Sequence, residues 1–227
     1  MLERLLPAGP HHRVRVRCSD RDDGDFRVDG PQPALDARRG AFAPGPWTWL
    51  RQVHGSRVVC VEHPGAGAGE EADAAVTSVV GAVVAVHTAD CVPIVLAGPR
   101  MVGVVHAGWR GIVDGVVPAT VDAMRKDGSA DIHAFVGPHI RSGHYAFGSA
   151  ELALVAAVAG DEVHGHTLDG QPALDMTAAV DAVLRHAGVD VIERLDADTA
   201  APQFFSHRVR SDRERQVTVA WLEAVGS

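Results

Sequence analysis

Cysteine is scarce in this chain: Cys18, Cys60 and Cys91 are the only three among 227 residues, at unrelated spacings and without a Cys-x-x-Cys pair. That excludes a disulfide framework and fits a reducing compartment. Lysine is scarcer still. Lys126 stands alone, so nearly all positive charge is arginine, and any anion site must use arginine, histidine or backbone N–H groups. No run is apolar for long enough to cross a bilayer, because Thr88-Ala89-Asp90 and Arg100 interrupt the most hydrophobic region. The opening Met1-Leu-Glu-Arg-Leu-Leu-Pro7 lacks the basic start and apolar run of a signal peptide, so a cytoplasmic location is expected. Positive surplus is missing too. A net charge of −8 argues against a general nucleic-acid binder, which would neutralise phosphates with a basic surface.

What is present is material for a core. Hydrophobic residues make up 46% of the chain, and no composition break divides it, so one domain over residues 1–227 is expected. His12 to Arg17 alternates at period two and predicts a strand. Residues 18 to 46 carry little periodicity and read as a long surface excursion with a short helix near Ala34 to Arg39. Trp47 to Val53 and Arg57 to Glu62 read as strands broken at His54-Gly55-Ser56, which would leave His54 at a strand end. Gly65 to Glu70 reads as a loop. Ala82 to His87, Pro93 to Ala97 and Met101 to His106 are dense in Val and Ile, as in strands covered on both faces, with Gly98-Pro99-Arg100 as a hairpin turn. After Gly108 the period becomes helical, predicting one helix from about Arg110 to Arg125 kinked at Pro118. Asp131 to Val136 and Val217 to Leu222 read as strands, and Glu151 to Ala159 and Leu174 to His186 as helices. The fold class is α/β, with helices packed on a mixed sheet.

The chemistry gathers where polar residues interrupt the apolar runs. Cys91 follows Asp90 and precedes Pro93 at the start of a strand, where its thiolate could be a nucleophile or a soft metal ligand. Cys18 and Cys60 read as small buried hydrophobes. His106 ends an apolar strand and opens Ala-Gly-Trp-Arg-Gly before a helix. Two readings stand side by side. Cys91 and a histidine could form a nucleophilic dyad, as in thiol hydrolases. Alternatively Cys91, His54 and His106 could hold Zn²⁺ with an open fourth position. His87 lies four residues before Cys91, a spacing that separates the pair widely along a strand, and reads as supporting or structural.

Gln52-Val-His-Gly55, Ala72-Asp-Ala-Ala-Val-Thr77, Thr88-Ala-Asp-Cys-Val-Pro-Ile94, His106-Ala-Gly-Trp-Arg-Gly111 and Gly137-Pro-His-Ile140, with Phe204-Phe-Ser206 after them, occur in one order. Together they resemble the YfiH-like family, often labelled multicopper polyphenol oxidase or laccase, over roughly residues 45 to 222. The resemblance implies a single-domain α/β/α sandwich with zinc bound by His54, Cys91 and His106. It also implies a purine nucleoside enzyme: phosphorolysis of adenosine, inosine, guanosine or methylthioadenosine, and deamination of adenosine. Copper oxidation does not fit, since several copper centres need many paired histidines, and only His164-Gly-His166 has the His-x-His form.

Within that reading, Asp90 and Asp73 are the carboxylates that could supply an acid, Asp90 alternatively orienting a histidine or capping a turn. Arg110 and the backbone N–H groups of Trp109 to Gly111 are candidates for phosphate, joined by Arg51 and Arg208. Trp109 could stack on a purine or plug the core. The chain departs from the family where Gly143-His-Tyr-Ala-Phe-Gly148 replaces the usual Cys-Cys-Tyr-Glu-Val-Gly. His144 there reads as a surface residue. Phe26-Arg-Val-Asp-Gly30 replaces an Asn-Leu-Gly element. These departures bear on specificity, and they motivate a different-class alternative: a module that binds zinc and nucleoside without catalysis. The expected partners are nucleoside and phosphate, with no nucleic acid and no membrane, and the chain is a monomer or homodimer.

Overall fold

Alternation builds the first layer. In β2 (His12–Cys18) Val14, Val16 and Cys18 are buried while Arg13, Arg15 and Arg17 face outward, where Arg15 and Arg17 pair with Glu3 at 2.5 Å. β2 is paired on one side with β1 (Leu2–Pro7), which the sequence reading passed over. With β3 (Trp47–Trp49), β6 (Val83–Thr88) and β13 (Gln216–Ala224) they make a five-stranded mixed sheet in the order β1-β2-β13-β6-β3. The computed structural model describes residues 1–126 and 128–225; Asp127 and residues 226–227 of the expected domain lie outside it.

A second, six-stranded mixed sheet stacks on the first. It contains β4 (Val58–Cys60), β5 (Ala74–Thr77), β7 (Val92–Gly98), β8 (Met101–Ala107), β9 (His133–Val136) and β12 (Asp190–Arg194), in the order β12-β9-β7-β8-β5-β4. Its inner strands β5, β7 and β8 are covered on both faces, as the Val-rich runs predict. Val95, Ala97, Val102 and Val104 meet Val14, Val16, Val84 and Val86 of the first sheet. Their alternate neighbours Ile94, Leu96 and Val105 meet α2 (Trp109–Val113), α3 (Val116–Lys126), α4 (Ser149–Ala159) and α5 (Met176–His186). The α/β sandwich therefore holds two stacked sheets in its middle. No helix among the described residues is long and apolar enough to cross a membrane.

Four expectations are corrected. Residues 18 to 46 are not a surface excursion: α1 (Gln32–Phe42) buries Leu35, Arg39 and Phe42, and Phe26, Phe42 and Trp47 form a third core cluster over Val83, Ala85, Val217 and Val219. The expected helix from Arg110 is two helices, because Gly115 takes φ +84° between them. Pro118 then falls in the first turn of α3, where no N–H is needed. Cys60 is exposed rather than buried. It lies on the edge strand β4, whose Val59 takes the inward position. The strand expected over Trp47 to Val53 ends at Trp49, so His54 stands in a loop.

Candidate metal centre and cavity

Asp73 builds the site. It is fully buried just before β5, and its carboxylate accepts the backbone N–H groups of Val53 (3.1 Å), His54 (2.9 Å) and Gly55 (2.8 Å). Those bonds draw residues 53–55 out of the sheet and hold His54 at φ 61°, a left-handed conformation uncommon outside glycine. The same carboxylate accepts Nδ1–H of His106 at 2.8 Å, which leaves Nε2 of that ring free to ligate. His106 is buried near the end of β8, and Cys91 immediately precedes β7. Strands from one sheet and a loop pinned to it thus bring three side chains together. The ligand atoms of His54, Cys91 and His106 all lie within 4.8 Å of one another, the one such group among the described residues.

The residues fit a metal ion. Two imidazoles and a thiolate are the donor set of a three-coordinate zinc-type site with a position to spare. Gly108 completes the cradle, since a Cβ there would lie 2.7 Å from Cδ2 of His54 and 3.2 Å from Sγ of Cys91. Burial raises the Cys91 thiol, but the charge of His106 and hydrogen bonds from His106 and His54 outweigh it and bring the thiol below its ordinary value. Burial opposes charge on His106 as well, yet Cys91 and Asp73 hold its pKa above the usual imidazole range. The pair is poised as a thiolate, the form that binds metal.

The trio opens into a cavity of about 710 Å³, within the range of small-molecule sites. Six arginines line it (Arg27, Arg51, Arg110, Arg208, Arg213 and Arg215) against two carboxylates, Asp29 and Asp90. In a chain of net charge −8 that is a concentrated positive surface. Trp109 lines it too, packed edge-on to Phe147 at 5.6 Å, with the Arg110 guanidinium 4.4 Å above its ring. Core plug and cavity wall are one residue. Arg208 covers Tyr145 at 4.5 Å.

Not every residue singled out in the sequence reaches the cavity. Asp73 lies beneath it, fully engaged with His106 and the three amides, and does not line it. Gly111 is also off the wall, buried where a Cβ would lie 3.2 Å from the carbonyl oxygen of Gly55. Asp90 lines the cavity at φ 104°, yet its oxygens are taken by the Thr199 hydroxyl (2.7 Å) and the Arg208 N–H (2.6 Å). It fastens the C-terminal loops, while Asp73 is the carboxylate that orients a histidine. His144 bonds Asp198 at 3.0 Å, away from the trio. The segment 26–30, singled out as bearing on specificity, brings Arg27 and Asp29 to the cavity, whereas sequence reasoning did not single out His207, Arg213 or Arg215. The arginine-rich run Arg208 to Arg215 was the available signal.

The family model described as "Multi-copper polyphenol oxidoreductase laccase" matches residues 21–223. A purine nucleoside phosphorylase of Mycobacterium tuberculosis is 35% identical over 212 residues, covering 88% of this chain and 84% of that protein. Another, of Xylella fastidiosa, is 38% identical over 186 residues, covering 77% and 71%. The crystal structure of the hypothetical protein YfiH of Bacillus licheniformis superposes with a TM-score of 0.82 at 22% identity, over 96% of this chain and 99% of that one. That likeness is one of fold.

Proposed function

Because this chain belongs to the family described as multi-copper polyphenol oxidoreductase laccase, whose relatives include the two named phosphorylases, we propose that it is a zinc-dependent purine nucleoside phosphorylase. The observation that carries the reading is the meeting, in one cavity, of a His-Cys-His trio with six arginines. The substrates are adenosine, inosine, guanosine or methylthioadenosine, together with phosphate. Several coupled copper ions would need further ligand clusters, whereas a single trio suits one zinc ion. Bound there, zinc would supply a Lewis acid with an open coordination position.

The protein's own groups account for the rest. Arg110, Arg208, Arg213 and Arg215 attract and orient phosphate, guanidinium planes matching its oxygens in pairs. In phosphorolysis a phosphate oxygen bonds to the anomeric carbon of the ribose as the bond from that carbon to the purine nitrogen breaks, and the departing base takes up a proton. Trp109 offers a face for the base beside the trio. Cys91 lies 3.9 Å from Nε2 of His54, a spacing also open to a thiol dyad. The convergence of His106 and the space kept by Gly108 favour the metal.

Purified protein given inosine and phosphate should release hypoxanthine and ribose 1-phosphate and carry about one zinc per chain, as a single three-ligand site requires. Cys91→Ala should lose both metal and turnover while staying folded. A metal-free wild-type protein of full activity would sink the zinc reading, and one inactivated by thiol alkylation would point to the hydrolase. Inosine formed from adenosine without phosphate would report deamination at the same centre. Nucleoside binding without any product would leave a binding module.

A further inference from the structure

Among the described residues, the cavity wall carries buried polar atoms without a partner in the protein. Both ring nitrogens of His87 and the hydroxyl of Thr88 are in this state. The residues are 6% and 2% exposed, and both line the cavity. The carboxylates nearby are different, since Asp73 and Asp90 are fully engaged with N–H and O–H donors. An unpartnered buried donor or acceptor costs about 1–3 kcal/mol, so the two on the His87 ring call for a hydrogen-bonding partner from outside the fold.

His87 is also held in place. Gln52 donates to its carbonyl at 2.7 Å and accepts from its N–H at 2.8 Å, which fixes the end of β6 against the loop leading to His54. Burial, with the positive charges of Arg39, His106 and Arg215 around it, pushes the imidazole down to about 3, so the ring is neutral. A neutral imidazole offers one donor and one acceptor. Its complement is an uncharged group that also carries both. Phosphate, an anion at neutral pH, is better matched by the arginines.

We propose that His87 is a specificity-determining contact that reads an uncharged donor–acceptor group of the bound nucleoside. Two parts of a nucleoside have that chemistry: the hydrogen-bonding edge of the purine, and the ribose hydroxyls. The inference rests on the phosphorylase reading and deepens it. It also explains why polar groups are kept where an apolar pair would serve the fold better.

The test is His87→Leu, which removes both nitrogens with little change in volume. The KM for inosine should rise on the order of 10-fold or more, the loss of a buried hydrogen bond to substrate. The KM for phosphate, the metal content and the thermal midpoint should not worsen. His87→Gln, which keeps a donor and an acceptor, should recover part of the affinity. Purine riboside, lacking the 6-oxygen, and 2′- and 3′-deoxyinosine then separate the two sources, because the analogue missing the recognised group is insensitive to the substitution. An unchanged KM for inosine in His87→Leu overturns the proposal, as does a parallel loss of phosphate affinity. Should that variant not fold, His87→Phe, which also removes both nitrogens, carries the test, and an unchanged KM there overturns it equally. If wild-type protein binds inosine without turning it over, the phosphorylase reading fails alone and the same variants are compared by Kd. If it does neither, both fail.

Discussion

At the floor of the cavity, His106 stands on a central strand of the six-stranded sheet and Cys91 at the start of its neighbour, with Asp73 beneath them. At the rim, Arg208 is exposed on the short helix His207–Arg210 and Arg213 on the loop after it, and Arg27 comes from the segment before α1. The floor is fixed by buried hydrogen bonds in a region of low dielectric. The rim is charged, solvated and joined to the scaffold mainly through backbone contacts such as the Arg208 N–H on Asp90. Catalytic geometry needs the first kind of support, because small displacements are costly there. Capture of an anion tolerates the second, because charge acts over longer distances.

The contrast is broken most severely at Asp73. Asp73→Ala leaves three backbone N–H groups and an imidazole without their acceptor, so stability should fall by about 3 kcal/mol or more in urea titrations. Metal affinity should fall ~10–100-fold in competition with a chelator. A variant that keeps wild-type metal affinity would show that the floor does not depend on this carboxylate.

Acid loosens the floor by a milder route. His139 is buried, its Nε2 accepting from Arg141 at 3.0 Å, and the next residue, Ile140, donates its N–H to the carbonyl of Asp90 at 3.0 Å. Burial, with the charge of Arg141, lowers its pKa from 6.5 to about 4. The group is neutral when folded and takes a proton more readily when unfolded. Its contribution is therefore intact above about pH 6.5 and is lost progressively as pH falls towards about 4, at up to ~1.4 kcal/mol per pH unit. Denaturation measured across that window should show the slope, and His139→Gln should reduce it. An equal slope in the variant would assign the acid sensitivity elsewhere.

The smallest effect is expected at the rim. Arg213→Ala should raise the KM for phosphate roughly 3–10-fold, as loss of one charge-assisted contact does. Metal content should stay unchanged, and stability should hold to within about 0.5 kcal/mol. A loss of metal in this variant would erase the distinction between the two regions.

The same division governed what the sequence could reveal. Cys91 and His106 were legible because each interrupts an apolar run whose periodicity places it at a strand end. His54 was legible by its residue type, but its loop conformation was not, because Asp73 imposes it from nineteen residues downstream. The stacking of two sheets was hidden, since a strand covered by helices and one covered by another sheet read alike. Phe26, Leu35 and Phe42 were lost among Asp, Gly and Pro, where no period marked them as core. Arg213 and Arg215 belong to a segment without periodicity, and only tertiary structure carries them to the cavity, whereas Arg27 was legible through the departing segment 26–30.

The position of β13 has a consequence for the order of events during synthesis. This strand lies between β2 and β6, both from the first half of the chain. Until residues 216–224 leave the ribosome, β2 and β6 each present an unpaired edge, and the first sheet stays in two pieces. Closing it joins partners roughly 200 residues apart on the β2 side and roughly 130 on the β6 side, a slow step for any chain. Arg213 and Arg215 arrive with it, so the nascent protein acquires its metal corner before it acquires the rim that gathers anions.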